Sequence, residues 1–208
     1  MWRIIRKTEL ENLKFFEQQW EELYTKNQKL NQILTTQNDL IYNLNFKLKG
    51  TKSTVYAIRK DRQENDSFIC VQDKRKINKD SYTLEGDLNI FVLSSFINPQ
   101  PRPEMYHDMP YLETTFYESH ITLDEVHSYI YDISYENQGY GTMMLDTLVD
   151  IARQSGHSKI IGRLSSEDAK EENEKENRNK FYRNYKKAIT ELTFDDNTET
   201  KGHFKILL

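Results

Sequence analysis

The fold is decided by residues 129–145, which read YIYDISYENQGYGTMML. The first half continues a mixed apolar and polar strand pattern over 126–134, and Thr142–Arg153 has apolar residues at helical spacing. Gly139 and Gly141 stand between them. Glycine permits a positive φ and close approach to the backbone, and N–H groups at a helix start favour anions. The stretch therefore predicts a strand–turn–helix unit whose glycines make either a tight turn or an anion site.

Further strands and one more helix are predicted on both sides of this unit. Upstream, the pattern indicates a hairpin and three strands, at Val55–Ile58 with Phe68–Val71, then Leu88–Leu93, Tyr111–Glu118 and Val126–Ser134. Downstream, Gly156 ends the helix, and the pattern indicates a strand at Lys159–Leu164, a charged helix from Ser166 to about Ala188, and strands at Ile189–Phe194 and Phe204–Leu208. All four prolines lie between Pro99 and Pro110, which predicts a surface loop. Residues 50–208 are thus expected to form one α+β domain with a mixed sheet.

Residues 1–49 form a separate segment that contains no glycine and no proline. Thr8 and Glu11 have the spacing of a capping box, and Gly50 is expected to end the helix. A heptad frame starting at Leu13 has apolar residues at eight of its ten a and d positions. The a positions are Leu13, Trp20, Asn27, Leu34 and Ile41, and the d positions are Phe16, Leu23, Leu30, Gln37 and Leu44.

This heptad pattern predicts a coiled coil that forms a homodimer through residues 13–47. Asn27 at an a position can pair with its twin in a parallel dimer and so select register and oligomer state. The alternative is one amphipathic helix that packs the same apolar stripe against the globular domain of its own chain.

Composition narrows the classes of protein. A formal net charge of −4 gives no general reason to expect nucleic-acid binding, and 12% aromatic residues argue against global disorder. The single cysteine, Cys70, lies in an apolar run and is expected to be a buried thiol. No signal peptide, membrane span or metal-ligand spacing is evident, so a cytoplasmic protein without a metal is expected.

The stretch QGYGTMML, residues 138–145, resembles the acetyl-CoA motif of the GNAT superfamily of N-acetyltransferases. In that family a Q/R-x-x-G-x-G/A turn follows the fourth strand and opens a helix. A strand like Lys159–Leu164, a helix with a tyrosine like Tyr182, and two terminal strands then follow in the same order. The resemblance covers about residues 120–208 and implies a GNAT-like acyltransferase fold.

The resemblance implies an acetyl-CoA-dependent N-acyltransferase that transfers an acetyl group to an amine of a small molecule or a protein. Tyr182 would be the general acid, and Glu125 the base, with His127 and Asp132 as alternatives. The cofactor-binding residues would be Ile133 and Ser134, whose backbone would pair with the pantetheine arm, then Asn137, Gln138, Gly139, Tyr140, Gly141 and Thr142 around the pyrophosphate, and Asn177. The acidic residues Glu104, Asp108 and Glu113, expected in loops, would suit a cationic acceptor.

Three departures from the family leave a second interpretation open. Glu136 stands at the Q/R position, and Lys175 stands where the family often has an asparagine, although Asn177 and Asn179 are near. Residues 54–95 give no pattern for the two helices that the family places between its first two strands. The alternative is a catalytically inactive GNAT-like interaction or regulatory protein that dimerises or recruits a partner through the coiled coil, with Tyr182 as a core aromatic residue.

Overall fold

The structure is a computed structural model. It describes residues 7–94, 109–127, 129–130, 133–134, 138–165, 172–195 and 197–208. Contacts divide the chain into two units, residues 1–43 and residues 44–208.

The helices are α1 (Lys7–Thr51), α2 (Tyr140–Gln154) and α3 (Glu172–Arg183). The strands are β1 (Thr54–Lys60), β2 (Asp66–Asp73), β3 (Lys76–Ile77), β4 (Leu84–Ser94), β5 (Tyr111–Phe116), β6 (Ile121–His127), β7 (Tyr129–Ile130), β8 (Ile133–Ser134), β9 (Lys159–Leu164), β10 (Ile189–Phe194) and β11 (Gly202–Leu207). The predicted α+β class with a long N-terminal helix is confirmed.

Helix α1 is continuous over 45 residues. Because it already includes Lys7, Thr8 lies inside the helix and does not cap it. Gly50 does not end it either, since the helix runs through Thr51 and stops where Lys52 adopts a φ of 55°. The Gln72 side-chain amide donates to the Thr51 carbonyl, which gives one of the last carbonyls of the helix a partner.

The strands of the second unit form a sheet in the order β1-β2-β4-β5-β6-β9-β11-β10, and β3 pairs with the start of β4. In the part of the chain that the structure describes, this sheet has nine strands. All the recorded pairs are antiparallel except β6 with β9, which is parallel. Helix α2 connects these two strands, as a parallel pair requires. Strands β7 and β8 form a separate two-stranded ribbon.

The core lies on both faces of strand β4, where Leu88, Ile90, Phe91, Val92 and Leu93 are completely buried. Such a continuous apolar run is typical of a strand that is covered on both faces. The buried stripe of α2, for example Met144 and Leu148, belongs to the same cluster, and α2 contacts β4, β5 and β6. The other members of the cluster include residues from β2, β5, β9 and β11.

The predicted strand over 126–134 is wrong in position. The sheet strand is β6, Ile121–His127, and residues 129–134 contribute only the short ribbon of β7 and β8. A β-bulge explains the error: Leu123 lies opposite Thr114 and Glu125 lies opposite Glu113, so Asp124 is an extra residue. The bulge breaks the two-residue alternation by which a strand is recognised in a sequence.

The last helix also ends earlier than predicted, at Arg183 rather than near Ala188. The chain leaves the helix because its next residues bond to α2. The Tyr185 hydroxyl donates to Asp146 (2.9 Å), and Lys187 Nζ donates to Asp150 (2.6 Å). The start predicted at Ser166, and most of the predicted loop 99–110, lie outside the described residues; of that loop, Met109 and Pro110 are described and buried.

Candidate functional site

The parallel strands β6 and β9 separate soon after they meet. They pair at three positions only, ending with Leu123 opposite Gly162. β6 continues to His127 and β9 continues to Leu164 beyond the last of these pairs. In a right-handed crossover the connecting helix begins at the carboxyl ends of the two strands. The divergence of β6 and β9 therefore lies on the side where α2 begins.

The start of α2 has a glycine as its N-cap. Gly139 has φ 86° and ψ 5°, a left-handed conformation that side chains other than glycine adopt at a cost, and it makes no side-chain cap. Its carbonyl accepts from the amide of Met143 (3.0 Å). The first N–H groups of a helix have no carbonyl partner inside it, and the first turn here carries no acidic residue. The turn can therefore present N–H groups and the positive end of the helix dipole to an anion.

The turn between β1 and β2 brings a cation to this helix start. The amide of Arg62 donates to the carbonyl of Gln138 (3.2 Å). A Cβ placed on Gly139 would lie 3.6 Å from Arg62 Cγ and 3.7 Å from Arg62 Nε. The exposed guanidinium of Arg62 thus stands beside the N-terminus of α2, and both contribute positive potential.

Tyr140 anchors the two turns to each other. Its ring is buried, and its hydroxyl donates to Asp61 Oδ2 (3.2 Å). Ser94 Oγ lies 2.9 Å from the Tyr140 hydroxyl oxygen. Asp61 also accepts from the amides of Gln63 (2.8 Å) and Asn65 (2.9 Å), which shapes the β1–β2 turn. Burial raises the pKa of Tyr140, so the phenol stays protonated and keeps donating.

The predicted acid, Tyr182, lies in the core of the second unit. Its side chain is 6% exposed and stacks on Phe204, with ring centroids 4.2 Å apart. Its neighbour Phe181 approaches the helix start, since a Cβ on Gly141 would lie 3.5 Å from the Phe181 ring. The aromatic pair of α3 and the glycine turn of α2 are therefore close neighbours. Tight packing at Gly162, where a Cβ would lie 2.2 Å from the Phe204 ring, holds the stacked rings in place.

The predicted base, Glu125, lies within hydrogen-bond distance of His127 on β6. The distance from Glu125 Oε1 to His127 Nε2 is 2.8 Å, and the two side chains are 43% and 32% exposed. The imidazole stacks on Tyr111 of β5, directly opposite, with ring centroids 5.0 Å apart. A carboxylate bonded to one imidazole nitrogen fixes the orientation of the ring.

An acidic cavity lies on the same face of β5 and β6 as this pair. Glu113 is directly opposite Glu125, and like charges in that position cost stability. The cavity has a volume of about 260 Å³ and is lined by Lys74, Asp87, Asn89, Glu113, Thr114, Thr115 and Asp124. Partial burial raises the pKa of Asp124, and the charges of Asp87 and Glu113 add to this shift. Carboxylates that repel one another in this way favour a cationic ligand.

The other predicted site residues are dispersed. The backbone of Ile133 and Ser134 belongs to β8, one edge of which pairs with β7. Asn137 lies outside the described residues, as do Asp132, Glu136, Glu104 and Asp108. Thr142 is exposed on the first turn of α2, and Gln138 is half-buried beside Arg62. Glu113 lies in strand β5 rather than in a loop, which corrects its predicted location.

The two asparagines of α3 differ in role. Asn177 is exposed, whereas Asn179 is buried and donates to the Glu199 carbonyl (3.2 Å). Asn179 therefore holds the loop between β10 and β11 against the helix.

Arg62 was not predicted from the sequence, because the segment Asp61-Arg62-Gln63-Glu64-Asn65 indicates only a polar hairpin turn. Asp61 was the available signal: a carboxylate that starts a turn often bonds the amides that follow it. No local pattern shows that this turn packs against a helix start much later in the chain.

Comparison with known proteins does not identify a family for this chain. No protein-family model matches the sequence, and no curated protein matches it. None of the described helices has a stretch long and apolar enough to cross a membrane. Among the described residues, no cluster of His, Cys, Asp or Glu is suited to hold a metal ion.

Proposed function

We propose that residues 50–208 form a GNAT-like domain that binds acetyl-CoA and transfers its acetyl group to an amine. The observation that carries the proposal is the β6–α2–β9 crossover, in which two parallel strands diverge in front of a glycine-capped helix start. The order of elements from β6 to β11 agrees with the one that the sequence resemblance implies.

The diphosphate of acetyl-CoA is proposed to bind at the start of α2. It would accept from the N–H groups of Gly141 and Thr142 and face the Arg62 guanidinium. Arg62 would supply the positive charge that the motif of this chain lacks, since Glu136 stands where the family has a glutamine or an arginine. Support comes from the left-handed Gly139, which leaves no Cβ between the phosphates and the backbone.

The acceptor amine is proposed to bind over β5 and β6. The acidic cavity attracts an ammonium group, and Glu125 with His127 would remove a proton from it to make the nucleophile. The class of acceptor that fits best is a cation with its amine at the end of a flexible chain, since the carboxylates are spread over three strands.

The transfer needs few protein groups. The amine nitrogen attacks the thioester carbonyl, a C–N bond forms, and the C–S bond then breaks to release the thiolate. Before the attack, Glu125 takes up one proton from the ammonium group, while its bond to His127 holds the carboxylate in position. Tyr182 is the proposed donor of a proton to the thiolate, because a phenol is protonated at neutral pH and the stacked Phe204 limits the directions of its hydroxyl.

One observation favours the alternative, a catalytically inactive GNAT-like interaction or regulatory protein. Residues 52–94, all of them described, contain strands and turns but no helix. The helix pair that the family uses as a wall of the acceptor site is therefore missing from this part of the chain. In this second function no acetyl group is transferred, and the coiled coil dimerises the chain or recruits a partner.

Titration of the full chain with acetyl-CoA in a calorimeter tests the donor site. Saturable one-to-one binding is expected, followed by release of free thiol when polyamines or lysine peptides are added. Binding without thiol release across such a panel would favour the inactive alternative. A folded chain that binds neither acetyl-CoA nor CoA would overturn the transferase and favour the interaction protein.

A further inference from the structure

The N-terminal helix exposes an apolar stripe that is interrupted at two positions. Six apolar residues at a and d positions keep 53–71% of their surface exposed, namely Phe16, Trp20, Leu23, Leu30, Leu34 and Ile41. Fully exposed aromatic side chains alone offer roughly 150–250 Å² each, and a standard interface buries about 800 Å² per partner. A stripe of this extent, larger than the single exposed apolar residues common on surfaces, marks an interaction surface.

We infer that this stripe, residues 16–41, pairs with the same stripe of a second copy in a parallel, in-register coiled coil. The inference concerns the helix alone and does not depend on acetyl transfer. In a coiled coil, a helix with a seven-residue apolar repeat packs against a partner helix with the same repeat. A second copy of this chain supplies that repeat at each a and d position of the stripe.

The two polar positions of the stripe point to self-pairing. Asn27 at an a position and Gln37 at a d position are both exposed. Against an apolar partner each amide would be buried without a hydrogen-bond partner, which is costly. In a parallel, in-register pair, Asn27 meets Asn27 and Gln37 meets Gln37 of the second copy, so both amides are satisfied.

An antiparallel pair could also match these amides, by placing Asn27 opposite Gln37. That register would place Trp20 opposite Leu44 and Phe16 opposite Leu48. However, Leu44 and Leu48 are half-buried and pack against the core of their own second unit. The antiparallel register would leave the two largest side chains of the stripe without partners, whereas the parallel register buries both. The use of Leu44 within its own chain also ends the coiled coil near Ile41.

Cysteine cross-linking of the full chain distinguishes these arrangements. The native Cys70 gives a clean background, because the thiol is buried and burial raises its pKa to about 12. Asn27→Cys and Gln37→Cys, each alone, are expected to form disulfide-linked dimers under mild oxidation. The matched control is Thr25→Cys, at an f position on the outer side of the helix, which is expected to remain uncross-linked.

The oxidised variants are run on a non-reducing gel, and the wild-type chain is sedimented at tens of micromolar. A sedimenting dimer with cross-links in both single variants supports the inference. Cross-linking only in a mixture of Asn27→Cys and Gln37→Cys overturns it in favour of the antiparallel pair. A wild-type monomer overturns it in favour of another partner, and a trimer or tetramer overturns it as well. Leu23→Glu with Leu30→Glu is expected to give a monomer, and a dimer of that variant would contradict the inference.

Discussion

The side chain of Arg62 lies against Gly139, with Arg62 Cγ 3.6 Å from the position that a Cβ on Gly139 would take. The backbone bond from the Arg62 amide to the Gln138 carbonyl holds the two turns in this arrangement. A guanidinium beside the positive end of a helix is repelled by that end unless an anion binds between them. The position of the Arg62 guanidinium beside the start of α2 is therefore electrostatically favourable mainly when a phosphate group binds there.

Arg62→Ala is expected to weaken acetyl-CoA binding roughly 10- to 100-fold, since a contact with a charged group contributes about 1.5–3 kcal/mol. Calorimetric titration measures the change. The matched control is Lys79→Ala, an exposed cation in the turn between β3 and β4, at the opposite end of β2. Equal affinities for Arg62→Ala and the wild type would remove Arg62 from the site. Raising the salt concentration is expected to weaken acetyl-CoA binding to the wild type more than binding to the variant, because the variant lacks the Arg62 charge.

Thr142→Glu separates coenzyme binding from helix stability. Thr142 is exposed in the first turn of α2, where a carboxylate stabilises a helix by about 0.3–1 kcal/mol. The same carboxylate would face the bound pyrophosphate and repel it. The variant is expected to melt at or above the wild-type temperature and to lose acetyl-CoA binding, which thermal melts and titration measure together. Thr142→Lys is the reciprocal control, less stable but still able to bind; unchanged affinity in both variants would place the anion elsewhere.

Parts of the fold with regular periodicity could be predicted from the sequence, and parts set by tertiary contacts could not. Strand β9 was predicted with its observed limits, and α2 within two residues at its start, because buried positions alternate along β9 and recur at helical spacing along α2. Strand β6 was misplaced because the bulge at Asp124 interrupts its alternation. The end of α3 was missed because Tyr185 and Lys187 leave the helix for partners on α2, which no local signal indicates.

Some residues of the candidate site could be named from the sequence, and others are brought together only by the fold. Gly139 and Glu125 could be named from the sequence, Gly139 as part of the glycine motif and Glu125 by the resemblance, whereas the bond of Glu125 to His127 was not predicted. Arg62 and the acidic cavity arise from chain segments that meet only in the folded sheet. The cavity combines residues of β4, β5 and β6 with Lys74, and no spacing in the sequence predicts that meeting.

Tyr140→Phe is expected to destabilise the second unit by about 1–2 kcal/mol. The substitution removes the hydroxyl that donates to the buried Asp61 and bonds to Ser94, and unsatisfied buried groups are costly. Urea unfolding followed by circular dichroism measures the loss. Tyr82→Phe is the matched control, because Tyr82 is 85% exposed and its hydroxyl should contribute little. Equal stability of both variants would show that the Tyr140 hydroxyl does not hold the turns together.

Glu125→Gln is expected to lower kcat for acetyl transfer roughly 100-fold or more, the usual contribution of a general base. Acetyl-CoA affinity should be unchanged, because Glu125 lies on β6, opposite Glu113 of β5, and not at the start of α2. Steady-state assays of thiol release, together with titration, separate the two effects. Glu118→Gln, the same substitution in the exposed turn after β5, provides the control. Full activity in Glu125→Gln would leave proton removal to another group or to solvent.

Tyr182→Phe, in α3, and Tyr185→Phe, just after it, are expected to have opposite effects on kcat and on stability. Tyr182→Phe keeps the ring that stacks on Phe204, so it is expected to lower kcat about 10²- to 10⁴-fold with little change in stability. Tyr185→Phe removes the hydroxyl that donates to Asp146, so it is expected to lower stability by about 1 kcal/mol and leave kcat unchanged.

Unfolding curves and thiol-release assays on the same two preparations decide between roles for Tyr182. A normal kcat in Tyr182→Phe would make this residue a core aromatic side chain and remove the proposed acid. The same stability loss in both variants, with kcat lowered in both, would indicate that packing of α3 against α2 controls activity. Only a loss confined to kcat in Tyr182→Phe fits proton donation, because the substitution removes one oxygen and preserves the stacked ring.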